Sequence, residues 1–243
     1  MAAKGEGKAQ KAISTAKIRF FPRKEHVWAI RNSSGPHSGN SAVPLGFIVR
    51  DMLKLAATKK EAKMILNSGG VKVNGVAKTG MDFPVGLFDV IEFVDTKKLY
   101  RFVLDKNGRA ALAEMDGHAA TEKVSKILKK IVVKRGEVEV TTSDGFVLKQ
   151  GKHPLKVSDS VKLSLPDKKI VGHFSLESGN FALVIGGTHA GEVVKIKEII
   201  AGSMHKPRVV KTEGRHGEIS TLEKYICVVG DKKSAEQMNL EVF

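Results

Sequence analysis

The sequence predicts an α+β, multidomain protein assembled from small modules. Three observations carry this. Residues 43–66 repeat apolar side chains at helical spacing, and from residue 137 onward the period switches to two. The 24 glycines, set against an aromatic content of only 6%, suit several small β-rich units better than one large core. At 243 residues the chain is long enough for two or three such units, and a hydrophobic content of 42% is sufficient to pack them.

Residues 1–42 read as a basic extension without a core of their own. Gly, Lys and Ala dominate Met1–Ala12, and Asn32–Asn40 is strongly loop-forming. Between them, Ile18–Trp28 interleaves Arg19, Arg23 and Lys24 with Phe20, Phe21 and Trp28. Either the aromatics staple the extension to the next domain, or the segment orders against an acidic partner. Both hold if the rings anchor while the arginines reach outward.

Residues 43–106 form the next unit. Leu45, Ile48, Val49, Met52, Leu53 and Ala56 share one helical face, which leaves Arg50 and Lys54 outside. Thr58-Lys59-Lys60-Glu61 is a capping box: the Thr58 hydroxyl satisfies an amide at the helix start and Glu61 reaches back. Ala62, Ile65 and Leu66 then face inward, while Lys59, Lys60 and Lys63 point away. Gly69-Gly70 ends the helix. Val71 and Val73 alternate with Lys72 on a strand, and Asn74-Gly75 suits a type I′ hairpin turn. Pro84–Phe93 and Tyr100–Leu104 read as further strands.

In residues 107–176, Glu122–Ile131 is expected as a short amphipathic helix with its lysines in solvent. Hairpins follow at Glu137–Val140 with Gly145–Lys149, and at Ser160–Leu165 with Ile170–Phe174. In residues 177–243, Phe181–Ile185 and Val193–Ile200 flank the turn Gly186–Gly191, and Tyr225–Val229 closes the sheet. Short strands with glycine turns favour a small barrel.

The net charge of +15 points to a polyanionic partner, with nucleic acid the first expectation. Residues 1–44 hold eight Lys/Arg against two acids, residues 45–106 eleven against seven, and residues 107–175 thirteen against eight. Residues 176–243 hold nine of each, so a binding face belongs on the first two-thirds. Lysines at a helix start beside a hairpin offer oriented amides and mobile cations to phosphates. The single cysteine, Cys227, sits in an apolar run. It excludes an intrachain disulfide framework and a multi-cysteine zinc site, and fits a reducing cytoplasm. None of the eight histidines pairs with a carboxylate at helical zinc-hydrolase spacing, and no helix follows Gly186–Gly191 to make a dinucleotide fingerprint. Neither a metal nor a cofactor is implied. No apolar stretch approaches membrane-spanning length, and the basic N-terminus lacks the apolar core of a signal peptide. The expectation is a soluble, intracellular protein with no membrane partner.

Thr58–Ala62, Ile65-Leu66, Gly70 and Val71–Gly75 resemble the S-four RNA-binding domain. Val184–Val193 is similar to the KOW motif of ribosomal and transcription-elongation proteins. Together with Ser34-Gly35-Pro36-His37 and Pro84–Ile91, the order resembles the e-type small-subunit ribosomal protein four of archaea and eukaryotes along essentially the whole chain. The resemblance implies a basic extension (1–42), an S-four-like αα-β domain (43–106), a central small β domain (107–176) and a KOW SH3-like β-barrel with tail (177–243). It implies a non-catalytic, cytoplasmic constituent of the ribosome that binds small-subunit ribosomal RNA and touches neighbouring small-subunit proteins. The candidate RNA contacts are Arg19, Arg23, Lys24, Arg31, His37, Arg50, Lys54, Thr58, Lys59, Lys60, Lys63, Lys72, Asn74, Lys78 and His189, with Lys59, Lys60 and Lys63 the heart of the ridge. Glu192 departs from the family pattern, in which a basic residue is common after the second glycine cluster, so direct contact between barrel and phosphate stays open. Two alternatives remain. A KOW-containing transcription-elongation factor would bind RNA polymerase, leaving the basic arm unexplained. An RNA-modifying enzyme would need a large catalytic domain that these small β modules do not supply.

Overall fold

The computed structural model describes residues 9–16, 18, 23–24, 27–115, 121–133, 137–149, 154–203, 206–215, 217–237 and 240. In the extension, β1 (Gln10–Lys11) and β2 (Trp28–Ala29) pair antiparallel, with Lys11 opposite Trp28. β3 (Val43–Pro44) leads into α1 (Leu45–Phe47), which continues as a π-turn over Ile48–Met52. Leu45, Ile48, Val49 and Ala56 are buried, as their spacing predicts. The helix is shorter than that spacing suggests, because the chain leaves it before Lys54, which adopts φ +54°.

α2 (Lys59–Asn67) buries Ala62 and Leu66. It is followed by β4 (Val71–Val73) and β5 (Val76–Ala77), joined through Asn74 and Gly75 at φ +53° and +79°. Positive φ at both positions is the type I′ turn that matches strand twist. Pro84–Phe93, expected as one strand, is two: β6 (Pro84–Val85) and β7 (Val90–Phe93). The break is at Phe88, which takes φ +62° and turns its ring into the interior. β8 (Lys98–Leu104) and β9 (Ala110–Met115) complete a five-stranded sheet in the order β5-β4-β7-β8-β9. This sheet runs past residue 106. Its core is Leu45, Ile48, Val49 and Leu66 from the helices against Val71, Ile91, Phe93 and Phe102 from the strands.

The stretch expected as an amphipathic helix is instead the longest described strand, β10 (Glu122–Val132). It pairs on both sides within the second sheet, which also contains β11 (Val138–Thr142), β12 (Val147–Lys149), β13 (Ser160–Ser164) and β14 (Ile170–Phe174), in the order β12-β11-β10-β13-β14. The third sheet comprises β15 (Phe181–Val184), β16 (Val193–Ile200), β17 (Val209–Gly214), β18 (Gly217–Leu222) and β19 (Ile226–Gly230), ordered β18-β17-β16-β15-β19. The β17–β18 hairpin adds to the three strands read from the sequence. A short helix, α3 (Lys232–Gln237), follows.

The three sheets share a core. Phe88 and Val103 of the first unit, Val124 of β10, and Leu183, Val193, Cys227 and Val229 of the third sheet form one buried cluster. Two further contacts fix the third sheet. Gly191, at φ +95°, lies so close to the β8–β9 turn that a β-carbon there would overlap the Asp105 carbonyl oxygen. Lys126 of β10, far from being solvent-exposed, donates from Nζ to the carbonyls of Glu223 (2.6 Å), Lys224 (3.2 Å) and Ile226 (2.6 Å). Burial pulls its pKa below the ordinary lysine value, partly offset by the Cys227 thiol and Glu223. Cys227 is a free thiol that burial pushes up to about 11, so it is inert, as its apolar surroundings suggested.

Candidate nucleic-acid interface

The start of α2 is built by the predicted capping box. Thr58 Oγ1 accepts from the Glu61 amide (3.3 Å) and donates to Glu61 Oε1 (2.9 Å), while Glu61 Oε2 accepts from the amides of Ala57 (2.9 Å) and Thr58 (3.3 Å). These bonds, that from Ala57 foremost, hold the Glu61 carboxyl below its usual pKa. Glu61 is thereby turned inward onto the helix start, leaving the outer face to Lys59, Lys60 and Lys63. All three are exposed, and none forms an ion pair among the described residues.

Lys59 and Lys63 also line an open groove of about 1070 Å³. Its other walls come from the extension, through Arg31, Asn32, Ser33 and Asn40, and from the Thr79–Asp82 segment. Among the described residues that line it, Asp82 is the one carboxylate. From the sequence, Asn32, Ser33 and Asn40 are legible only as loop-forming. Their place beside a basic helix was the available signal, but it depends on the loop folding back onto α2.

The third sheet presents its charges differently. Lys197 lies 2.7 Å from Glu218 and 3.6 Å from Glu213, Lys211 lies 2.8 Å from Glu198, and Arg208 lies 2.9 Å from Glu223. His189 sits 3.3 Å from Glu192. Lys197, Lys211 and Arg208 are thus neutralised within the chain.

The remaining candidates scatter. Lys24 and Lys54 are exposed, and Arg23 donates to the Thr15 carbonyl at 3.0 Å. Arg50 is not fully outside: it is half-buried and grips Asp51 at 2.9 Å. Lys72 lies 3.4 Å from Glu92, and Lys78 stands over the Phe83 ring. Arg19 lies outside the described residues.

His37 and Asn74 both bond the buried Asp89, and His37 also lines the groove beside α2. His37 donates from Nε2 to Asp89 at 2.8 Å, and Asn74 donates to Asp89 at 2.7 Å while accepting the Val90 amide at 3.0 Å. Lys123 of β10 bonds Asp89 and lies 2.7 Å from Asp144; all three side chains are at most 3% exposed. Gly86 makes room for His37, since a β-carbon there would overlap the imidazole. Burial opposes the charge on Asp89, but Lys123, His37 and Asn74 outweigh it and hold the carboxyl below its ordinary range. Burial likewise disfavours the Lys123 ammonium, and Asp89 and Asp144 more than reverse that. Among the described residues no group of His, Cys, Asp and Glu could hold a metal, and no helix is long and apolar enough to cross a membrane.

Fold and charge thus define a basic protein of packed β-sheets whose helix α2 presents a cationic face. The model of the ribosomal family S4e matches residues 96–170. The chain is 39% identical to the small ribosomal subunit protein eS4 of Archaeoglobus fulgidus, over 93% of this chain and 94% of that one. It is 36% identical to the eS4 protein of Methanosphaera stadtmanae, over 96% of each. The crystal structure of the 30S ribosomal protein S4e from Thermoplasma acidophilum superposes with a TM-score of 0.68 at 29% identity, covering 79% of this chain and 97% of that one. The chain belongs to the S4e family of ribosomal proteins.

Proposed function

We propose that this protein is a structural constituent of the small ribosomal subunit that binds small-subunit ribosomal RNA through the outer face of α2 and the adjoining groove. It acts in the cytoplasm beside neighbouring subunit proteins and carries out no catalysis. One observation carries the reading: Lys59, Lys60 and Lys63 are exposed without acidic partners among the described residues, whereas Lys197, Lys211 and Arg208 are spent on glutamates. Unpaired cations release counterions when they meet phosphates, and that release drives association with RNA. Cations already neutralised have less to gain.

In this reading residues 43–106, with β9 completing their sheet, act as an S-four-type RNA-binding domain, the rest of residues 107–176 as a central β domain, and residues 177–243 as a KOW-type barrel turned toward the rest of the chain. Residues 1–42 supply the arm. The contacts are Lys59, Lys60, Lys63 and Arg31, with Lys24 and Lys54 at the periphery. The test is sedimentation of a cell extract. The native protein should travel with small subunits and leave them in high salt; recovery only in the free fraction would overturn the proposal.

A further inference from the structure

Trp28 is the only tryptophan of the chain, and its side chain is left in the open. It is 59% exposed, and its neighbour Val27 is 67% exposed. The sequence offered two uses for the aromatics of this segment, stapling the extension to the next domain or meeting a partner. Trp28 does not staple. A large amphipathic ring in solvent costs free energy that a partner recovers.

The surroundings say which partner. Lys11 lies directly across from Trp28 in the β1–β2 ladder. The residues that follow it, Ala29, Ile30 and Arg31, line the same groove as Lys59 and Lys63. A second hollow of about 690 Å³ adjoins it, sharing Gln10 and Arg31 and bounded by Lys11. Trp28 itself lines neither hollow, but its ladder partner Lys11 bounds the second and the next residue, Ala29, lines the first, so the exposed ring lies beside this basic surface. An apolar protein surface would strand these ammonium groups without water. An unpaired RNA base satisfies both features, since it offers a π-face to the indole while its flanking phosphates enter the groove. We infer that Trp28 is a stacking platform for an unpaired base of the bound RNA, whose backbone runs through the groove between the extension and α2. This rests on the RNA-binding reading above and specifies single-stranded or bulged RNA at this point.

Because the chain has one tryptophan, its own fluorescence reports the contact. The full chain is titrated with a full-length small-subunit ribosomal RNA transcript while emission is followed. Stacking quenches the emission in step with binding. Trp28→Ala weakens affinity by about 10- to 100-fold, and Trp28→Phe recovers most of it because a ring remains. If the chain binds the transcript and Lys59→Glu/Lys63→Glu weakens it, yet emission stays constant or Trp28→Ala binds as tightly as the parent, stacking is refuted and the RNA reading stands. If emission changes only when other subunit proteins are added, a protein covers Trp28 and the inference fails. If the chain ignores the transcript altogether, both fail.

Discussion

Asp89 is held by groups from four separate stretches of chain: the His37 imidazole, the Asn74 amide, the Gly86 backbone amide and the Lys123 ammonium. Removing one member of a buried pair leaves the other charged and unsolvated, which costs about 3–5 kcal/mol. Lys123→Ala should lose stability of that order in chemical denaturation; a loss within the range of an exposed lysine would remove the cluster from the account. The pH dependence has two edges. Asp89 is depressed from 3.8, so its contribution is present above that value and lost as pH falls below it. Lys123 is raised from 10.5, so its contribution holds through neutrality and is lost only as pH climbs past its elevated value. At this scale the sequence was half legible. Asn74-Gly75 announced a turn, and the turn formed. That the same Asn74 side chain would be consumed by Asp89 and Val90 was not visible, because the partners meet only after the sheet has assembled.

At the scale of elements, α2 and β10 make opposite cases. α2 was legible because its signals are local: the cap, the apolar face and the glycines lie within 13 consecutive residues, 58–70. β10 was misread. Val124, Ile127, Leu128 and Ile131 recur at helical spacing, and lysines between them look like a solvated face. The strand forms because it has partners on both sides, and two of those lysines are buried by acids and carbonyls far away in sequence. Binary patterning fails where the buried residue is polar and its partner non-local. The β17–β18 hairpin escaped notice for a related reason: inward positions such as Thr212 and Gly214 are not bulky apolar residues. Lys126→Met should uncover three carbonyls and destabilise the protein by about 2–3 kcal/mol in urea unfolding, with Cys227 gaining reactivity toward a thiol reagent as the junction loosens. A variant as stable as the parent, with Cys227 still inert, would show that the carbonyls find other partners.

At the scale of the whole molecule, the β-sheets meet in one shared core and through two buried lysines, while α2 packs on the core of its own sheet and keeps its outer face free. The charge layout follows the same division: open cations on α2, and Lys197, Lys211 and Arg208 closed in ion pairs beside the third sheet. Net charge by segment made this partly legible, since residues 176–243 sum to zero. The pairing itself was not, because Lys197 and Glu218 meet only across the β16–β17–β18 surface. The most direct test is the salt dependence of affinity for a small-subunit ribosomal RNA transcript, measured for the parent, for Lys59→Glu/Lys60→Glu/Lys63→Glu and for Lys197→Gln/Lys211→Gln. Binding through α2 predicts that the first variant binds more weakly, with a log–log salt slope shallower by about 2–3, while the second keeps the parent's slope. A parental slope in the first variant, or the loss appearing in the second instead, would contradict it.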